Sequence, residues 1–195
     1  MTERTHRGLV IVDVQRDFCE GGSLAVAGGE EVARRVTELL RGPGRAAYDL
    51  VVASRDWHDP HSTNDGHFDQ WPVHCVAETP GAEYHPELDA TLIDVHVRKG
   101  AGQPAYSAFE GRTTEGDGLA DILREAGITD LDIVGIATDH CVRATALDAV
   151  AAGFDVAVLS GLHVGVAVET TAAALTELVE AGVAVGAPEG VRHPR

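Results

Sequence analysis

The chain has 195 residues, 44% of them apolar, which fits one domain with a substantial core. Its net charge of −16 repels phosphate backbones and anionic lipid, which excludes nucleic acid and membrane surfaces as expected partners. Three cysteines (Cys19, Cys75, Cys141) are too few for a disulfide framework and fit a reducing cytoplasm.

The short apolar run after Arg7 is too brief for a signal peptide or a membrane span. Leu9 to Val14 reads as a strand apolar on both faces, as in a covered parallel sheet. Glu30 to Arg41 carries Val32, Val36, Leu39 and Leu40 on one helical stripe, stopped by Gly42-Pro43-Gly44. Strands are expected at Leu50 to Ser54 and Ile93 to Val97. A helix follows at Leu119 to Ala126, then a strand at Leu131 to Ile136. His140 to Ala152 is an Ala-rich helix, Asp155 to Leu159 a strand, Glu169 to Ala181 a helix and Val183 to Val185 a last short strand. This alternation predicts an α/β sandwich around a mostly parallel sheet, as one domain over 1–195. The polar tail from Ala187 to Arg195 reads as a frayed end.

Arg55 to Thr91 breaks the rhythm. It has little periodicity, many turn residues and four histidines in a short stretch: His58, His61, His67 and His74. A connection that long reads as a functional loop, and it starts at a strand's carboxyl end, where open α/β sheets bind ligands. Asp56 and His58 are two apart, so an extended backbone points them to one side. With His67 and His74 they make a donor set suited to Zn²⁺, Fe²⁺ or Mn²⁺. Spacing alone does not choose between His61 and His67, nor between a metal loop and a solvated polar one.

Cys141 follows the strand ending near Ile136, at the start of a helical stripe. There, backbone N–H groups and the helix dipole would stabilise a thiolate or receive an oxyanion; the other reading is a small buried hydrophobe. Cys19 and Cys75 lack that setting and read as structural. Asp13 interrupts an apolar strand, where an unpaired carboxylate is costly. Lys99 directly follows the third strand. Alone, Asp13 is a strand-terminal turn residue and Lys99 a solvated charge. Together with Cys141 they share one edge of the sheet, and a nucleophilic cysteine needs such an acceptor and cation.

Four segments resemble bacterial nicotinamidase/pyrazinamidases, in order and over about residues 8 to 185. They are Ile11 to Val26, Trp71-Pro72-Val73-His74-Cys75-Val76 with Thr79-Pro80-Gly81-Ala82, Lys99-Gly100 with Ala105 to Gly111, and Val134 to Arg143. The wider group is the isochorismatase-like hydrolases. The resemblance implies a three-layer sandwich with a six-stranded mostly parallel sheet flanked by helices. It implies Cys141 as nucleophile, Asp13 as proton shuttle and Lys99 as the cation beside them. Asp56, His58, His67 and His74 would hold one divalent transition metal ion. Ile136-Ala137 would match a cis peptide, with the Ala137 and Cys141 N–H groups as oxyanion donors. Phe18, Trp71 and Ile136 would wall the substrate pocket, with Tyr106 nearby; for the aromatic three the other reading is core packing. The interval from His58 to His67 is longer than in such relatives, and that from His67 to Trp71 shorter.

The expected activity is hydrolysis of nicotinamide, and of pyrazinamide, through a cysteine thioester. Rival readings are a related amidohydrolase of ureido or carbamoyl compounds and a non-catalytic small-ligand binder. Cys141 counts against vinyl-ether hydrolysis. The expected partner is a small-molecule amide. A homo-oligomer is compatible with the sequence, which assigns no face to an interface.

Overall fold

The structure, a computed structural model, describes residues 6–187; 1–5 and 188–195, most of the tail expected to fray, lie outside it. The chain runs β1 (Arg7–Val12), α1 (Gly29–Arg41), β2 (Leu50–Asp56), α2 (His67–Gln70), β3 (Val95–Lys99) and α3 (Leu119–Glu125). It continues through β4 (Asp130–Ile136), α4 (Arg143–Ala151), β5 (Asp155–Val164), α5 (Val168–Glu180) and β6 (Ala184–Gly186). The six strands form one sheet in the order β3-β2-β1-β4-β5-β6, and every adjacent pair is parallel.

Alternation along the strands divides the core into two layers. Leu9 and Ile11 of β1, with Val51, Val134 and Ala157, meet Val32, Val36 and Leu40 of α1. Val10 and Val12, with Val52, Ile133 and Val158, meet Leu119 and Leu123 of α3, Ala146 and Ala149 of α4 and Leu178 of α5. The sheet is thus covered on both faces, which explains its near-continuous apolar runs. The strand order reverses between β1 and β4, so their carboxyl ends frame the crevice where such sheets bind ligands.

Several boundaries differ from the sequence reading: β2 runs on through Arg55 and Asp56, which were expected to open the long loop, and four others shift for local reasons. β1 stops at Val12, because Asp13 turns the chain with a left-handed φ of 49°. β3 runs from Val95 to Lys99, later than expected, because the Ile93 end is taken up by a 3-10 turn over Ala90–Leu92. β5 extends to Val164 past an irregularity opposite β4, where Gly135 (φ 119°) crosses so close to Val12 that a side chain would meet its backbone. The Ala-rich helix begins only at Arg143; a π-helical turn over Thr138–Val142 precedes it.

The long connection contains α2 and 3-10 turns at Asn64–Gly66, Pro80–Ala82 and Ala90–Leu92. It is pinned by backbone bonds from His58 N to Cys75 O (3.0 Å) and from Ala77 N to His58 O (2.8 Å). Among the described residues, no helix is long and apolar enough to cross a membrane.

Candidate active site

Lys99 ends β3 and is 2% exposed. Its ammonium lies 2.8 Å from Asp13 Oδ2, 2.5 Å from Asp56 Oδ1, 3.1 Å from the Ala105 carbonyl and 3.8 Å from Cys141 Sγ. Asp13, beyond β1, is fully buried and accepts a 2.7 Å hydrogen bond from Ser54 Oγ. The expected convergence of sulfur, carboxylate and ammonium is therefore present around one nitrogen.

A buried charge holds only when it is paired, and here one cation faces two carboxylates. Burial opposes the charge of Lys99, but Asp13 and Asp56 outweigh it and push its pKa well up, so the ammonium persists. For Asp56, burial is likewise outweighed, by Lys99 and His58, and the carboxyl is held well below its usual range. For Asp13, burial prevails over the pull of Lys99 and raises the carboxyl, with the Asp56 charge adding to the rise. Asp13 is thus the more basic of the two carboxylates.

Burial also pushes the Cys141 thiol well above its ordinary value, against the opposing Lys99. Of the two readings of this position, burial thus favours the small buried thiol over a dipole-stabilised thiolate at rest. Cys141 sits inside the π-helical turn ahead of α4, in a desolvated place, and rests as a thiol beside the Lys99 ammonium that also contacts Asp13. Cys19 and Cys75 are buried and free, as expected of structural cysteines. Burial raises both of their thiols as well, with nearby carboxylates adding to the rise.

The far oxygen of Asp56 faces a second cluster. Oδ2 lies 3.7 Å from His58 Nε2 and 3.9 Å from His74 Nε2, too long for hydrogen bonds. His58, His67 and His74 offer ring nitrogens all within 4.8 Å of one another. His58 Nδ1 donates to the Gly100 carbonyl at 3.0 Å and His74 Nδ1 donates to the Pro72 carbonyl at 2.6 Å, because a carbonyl only accepts. Each ring thereby turns its Nε2 toward the cluster. His58 Nε2 is buried without a hydrogen-bond partner, and His67 Nε2 lies 3.4 Å from His74 Nε2. Converging lone pairs of this kind fit a cation, and the carbonyls that set the ring tautomers are the outer support a metal-binding histidine needs. Burial lowers the pKa of His67 to about 4 and also lowers that of His74, favouring the neutral form that binds metal. Gly100 (φ 80°) is required here, since a Cβ would come within 2.9 Å of His58 Cε1. His61 is exposed and outside this cluster, so the structure brings in His67 of the two alternatives.

A pocket opens above these groups. Phe18, Trp71, Tyr106 and Ile136 line it, together with Asp56, His67, His74, Ala137 and Cys141; Asp13, His58 and Lys99 lie beneath. Cys141 keeps 7% of its surface open, so the sulfur borders the pocket without being sealed in. The Ile136–Ala137 peptide is cis. Trp71 Nε1 donates to Tyr106 OH at 3.1 Å, and Tyr106 serves both readings, lining the pocket while packing against the core layer beneath it.

Several residues in the site escaped the sequence reading. Ser54 is a buried hydroxyl at the end of the apolar run Leu50 to Ala53, and that position was its signal. Gln15, also buried, accepts from Asp56 N at 2.8 Å and donates to the carbonyls of Asp56 (2.8 Å) and Ala82 (2.9 Å), clamping the Asp56 backbone. His140 and Val166 complete the pocket rim.

This fold, with a cysteine, a carboxylate and an ammonium at strand ends beside a histidine cluster, defines an α/β protein with a hydrolase-type site. The isochorismatase domain family matches residues 7–189, and the chain belongs to that family. It is 49% identical over 181 residues to the nicotinamidase/pyrazinamidase of Mycobacterium tuberculosis, covering 91% of this chain and 96% of that one. Among solved structures it is similar to the pyrazinamidase of Pyrococcus horikoshii in complex with zinc. There the TM-score is 0.81 and the identity 39%, over 92% of this chain and 98% of the other. A protein of L. infantum in complex with nicotinate matches with a TM-score of 0.84 and 34% identity, over 96% of both chains.

Proposed function

We propose that the chain is a nicotinamidase: a single hydrolase domain over 1–195 that converts nicotinamide, and pyrazinamide, to the acid and ammonia. The observation that carries this reading is the contact of one buried ammonium, Lys99 Nζ, with Asp13, Asp56 and Cys141 under an aromatic-walled pocket. The identity to the mycobacterial relative supports the substrate class. The three buried, unpaired cysteines fit the reducing cytoplasm.

In the proposed mechanism the ring lies between Phe18 and Trp71, with Ile136 and Tyr106 completing the wall. Asp13 takes the Cys141 proton; its raised basicity suits it to a thiol that burial keeps protonated. The sulfur attacks the carboxamide carbon, and the oxyanion develops toward the Ala137 and Cys141 N–H groups. Asp13 passes its proton to the amide nitrogen, the C–N bond breaks and ammonia leaves. A water then gives a proton to Asp13 and adds to the thioester carbonyl. The C–S bond breaks, Asp13 returns the proton to Cys141, and the acid departs. Lys99 offsets the negative charge that moves between Asp13 and the sulfur.

Asp56, His58, His67 and His74 would hold a divalent transition metal of the Zn²⁺, Fe²⁺ or Mn²⁺ class, a donor set that suits all three. When bound, that ion supplies a positive anchor that orients the heteroaromatic ring. His74→Ala is expected to lower the metal content found by elemental analysis to well under half of the wild-type value. An unchanged content would remove His74 from the ligand set.

Ammonia release decides the function. The metal-loaded protein, offered nicotinamide, pyrazinamide, ureidoacrylate and carbamoylsarcosine, is expected to turn over the two aromatic amides at least tenfold faster than the other two. Faster turnover of a ureido or carbamoyl compound would reassign the substrate, and no release from any of the four would leave a binder.

A further inference from the structure

We propose that Asn64 is a positioning residue that sets metal affinity by holding the loop between His58 and His67 in its ligating shape; this rests on the metal reading above. Asn64 is fully buried within a polar connection. Its Oδ1 accepts from Asp59 N at 3.0 Å and from Gly102 N at 3.2 Å. Its Nδ2 donates to the carbonyls of Asp59 at 2.9 Å and Ser62 at 3.3 Å. Two N–H donors on one end and two carbonyls on the other fix which way the amide points.

The backbone at this place is unusual. Asn64, Asp65 and Gly66 follow one another with φ of 49°, 51° and 76°, all left-handed. Asn, Asp and Gly tolerate that conformation best, and the turn they make delivers His67 to the start of α2. Gly102 belongs to the stretch after β3 that carries two other supports of the site. The Gly100 carbonyl orients His58, and the Ala105 carbonyl holds Lys99. One buried amide thus ties the loop bearing two ligand histidines to the segment that orients one of them. Without it, the loop from Asp59 to Gly66 would have to be ordered when the ion binds, and that ordering opposes binding.

The test compares wild type with Asn64→Gly and Asn64→Asp. Glycine keeps the left-handed backbone and removes all four side-chain bonds. Aspartate keeps the two acceptor bonds and turns an oxygen against two carbonyls. Competition for Zn²⁺ with a chromogenic chelator is expected to show about 10- to 100-fold weaker binding in both variants, the usual loss for an outer support of a metal ligand. Two readouts separate positioning from general damage. Cys141 alkylation by iodoacetamide in metal-free protein should stay within about twofold of wild type, and saturating Zn²⁺ should restore nicotinamide turnover in Asn64→Gly. Unchanged zinc affinity in both variants would overturn the proposal. So would a loss of affinity that comes with an equal loss of alkylation. Failure of the wild type to bind zinc would overturn the metal reading itself and is seen before either variant is compared.

Discussion

Cys141→Ala is expected to lower kcat for nicotinamide by about five to six orders of magnitude, the scale seen when the nucleophile of a cooperating triad is removed. The size follows from the arrangement around Lys99. Asp13 is desolvated and basic, but in the first half-reaction it only takes the thiol proton and hands it on to the leaving nitrogen; with no sulfur to attack, it has no covalent intermediate to serve. The pocket walls do not depend on the sulfur, so nicotinamide should still bind to the variant with an affinity within a few-fold of wild type. The measurement is paired: ammonia release for both proteins, and trapping of the acyl group with hydroxylamine. Wild type should give the hydroxamate and the variant none. Retention of a tenth of wild-type kcat in Cys141→Ala would sink the thioester route and shift attention to a directly attacking water.

Much of this arrangement was legible in the sequence, because the signals are of two robust kinds. Short apolar runs alternating with glycine-closed helical stripes marked the strands of the sheet, and polar residues at or just beyond the ends of those runs marked Asp13, Lys99 and Cys141. A carboxylate in an apolar strand has to be explained by a partner, and the partners lay at corresponding ends of neighbouring strands. What periodicity does not carry is structure made by side chains bonding to backbone. Asn64, Gln15 and Asp17 each hold the connection between β2 and β3 through such bonds, Asp17 Oδ2 accepting from Cys75 N at 2.7 Å. Read alone, each is an ordinary polar loop residue. Spacing alone left His61 and His67 open for the same reason, and only the resemblance pointed to His67: the left-handed turn ahead of His67 is made by Asn64 and its neighbours. The resting protonation of Cys141 was also out of reach. Position along the chain points to a helix N-terminus, whereas the thiol's state is decided by how completely the surrounding layers remove water.

Lys99→Met is expected to destabilise the protein by about 3–5 kcal/mol, the cost of stripping the partner from a buried ion pair. For a chain of this length that corresponds to a fall in Tm of roughly 6–20 °C, at about 2–4 °C per kcal/mol. Methionine fills the stem of lysine, so the loss is electrostatic: Asp13 and Asp56 are left facing one another in a buried place, and both must then be protonated or remain charged without a counter-ion. The pH dependence identifies the cause. In wild type, the Asp56 carboxyl is held below its ordinary value, so its contribution is present above about pH 4 and is lost as pH falls through the lowered value. The Lys99 pKa is raised, so its contribution is present below about pH 10 and is lost only as pH rises through the raised value. In the variant both carboxyls are pushed up, so the folded state binds more protons than the unfolded one and gains stability on acidification. The gap between the two proteins should therefore be widest near neutrality and narrow toward pH 4.5. Thermal unfolding of both, stripped of metal with a chelator so that histidine protonation is common to the pair, measures that gap. An equal difference in Tm at pH 4.5 and pH 7.5 would mean that methionine destabilises through packing, and that the charge of Lys99 is not what holds the two carboxylates together.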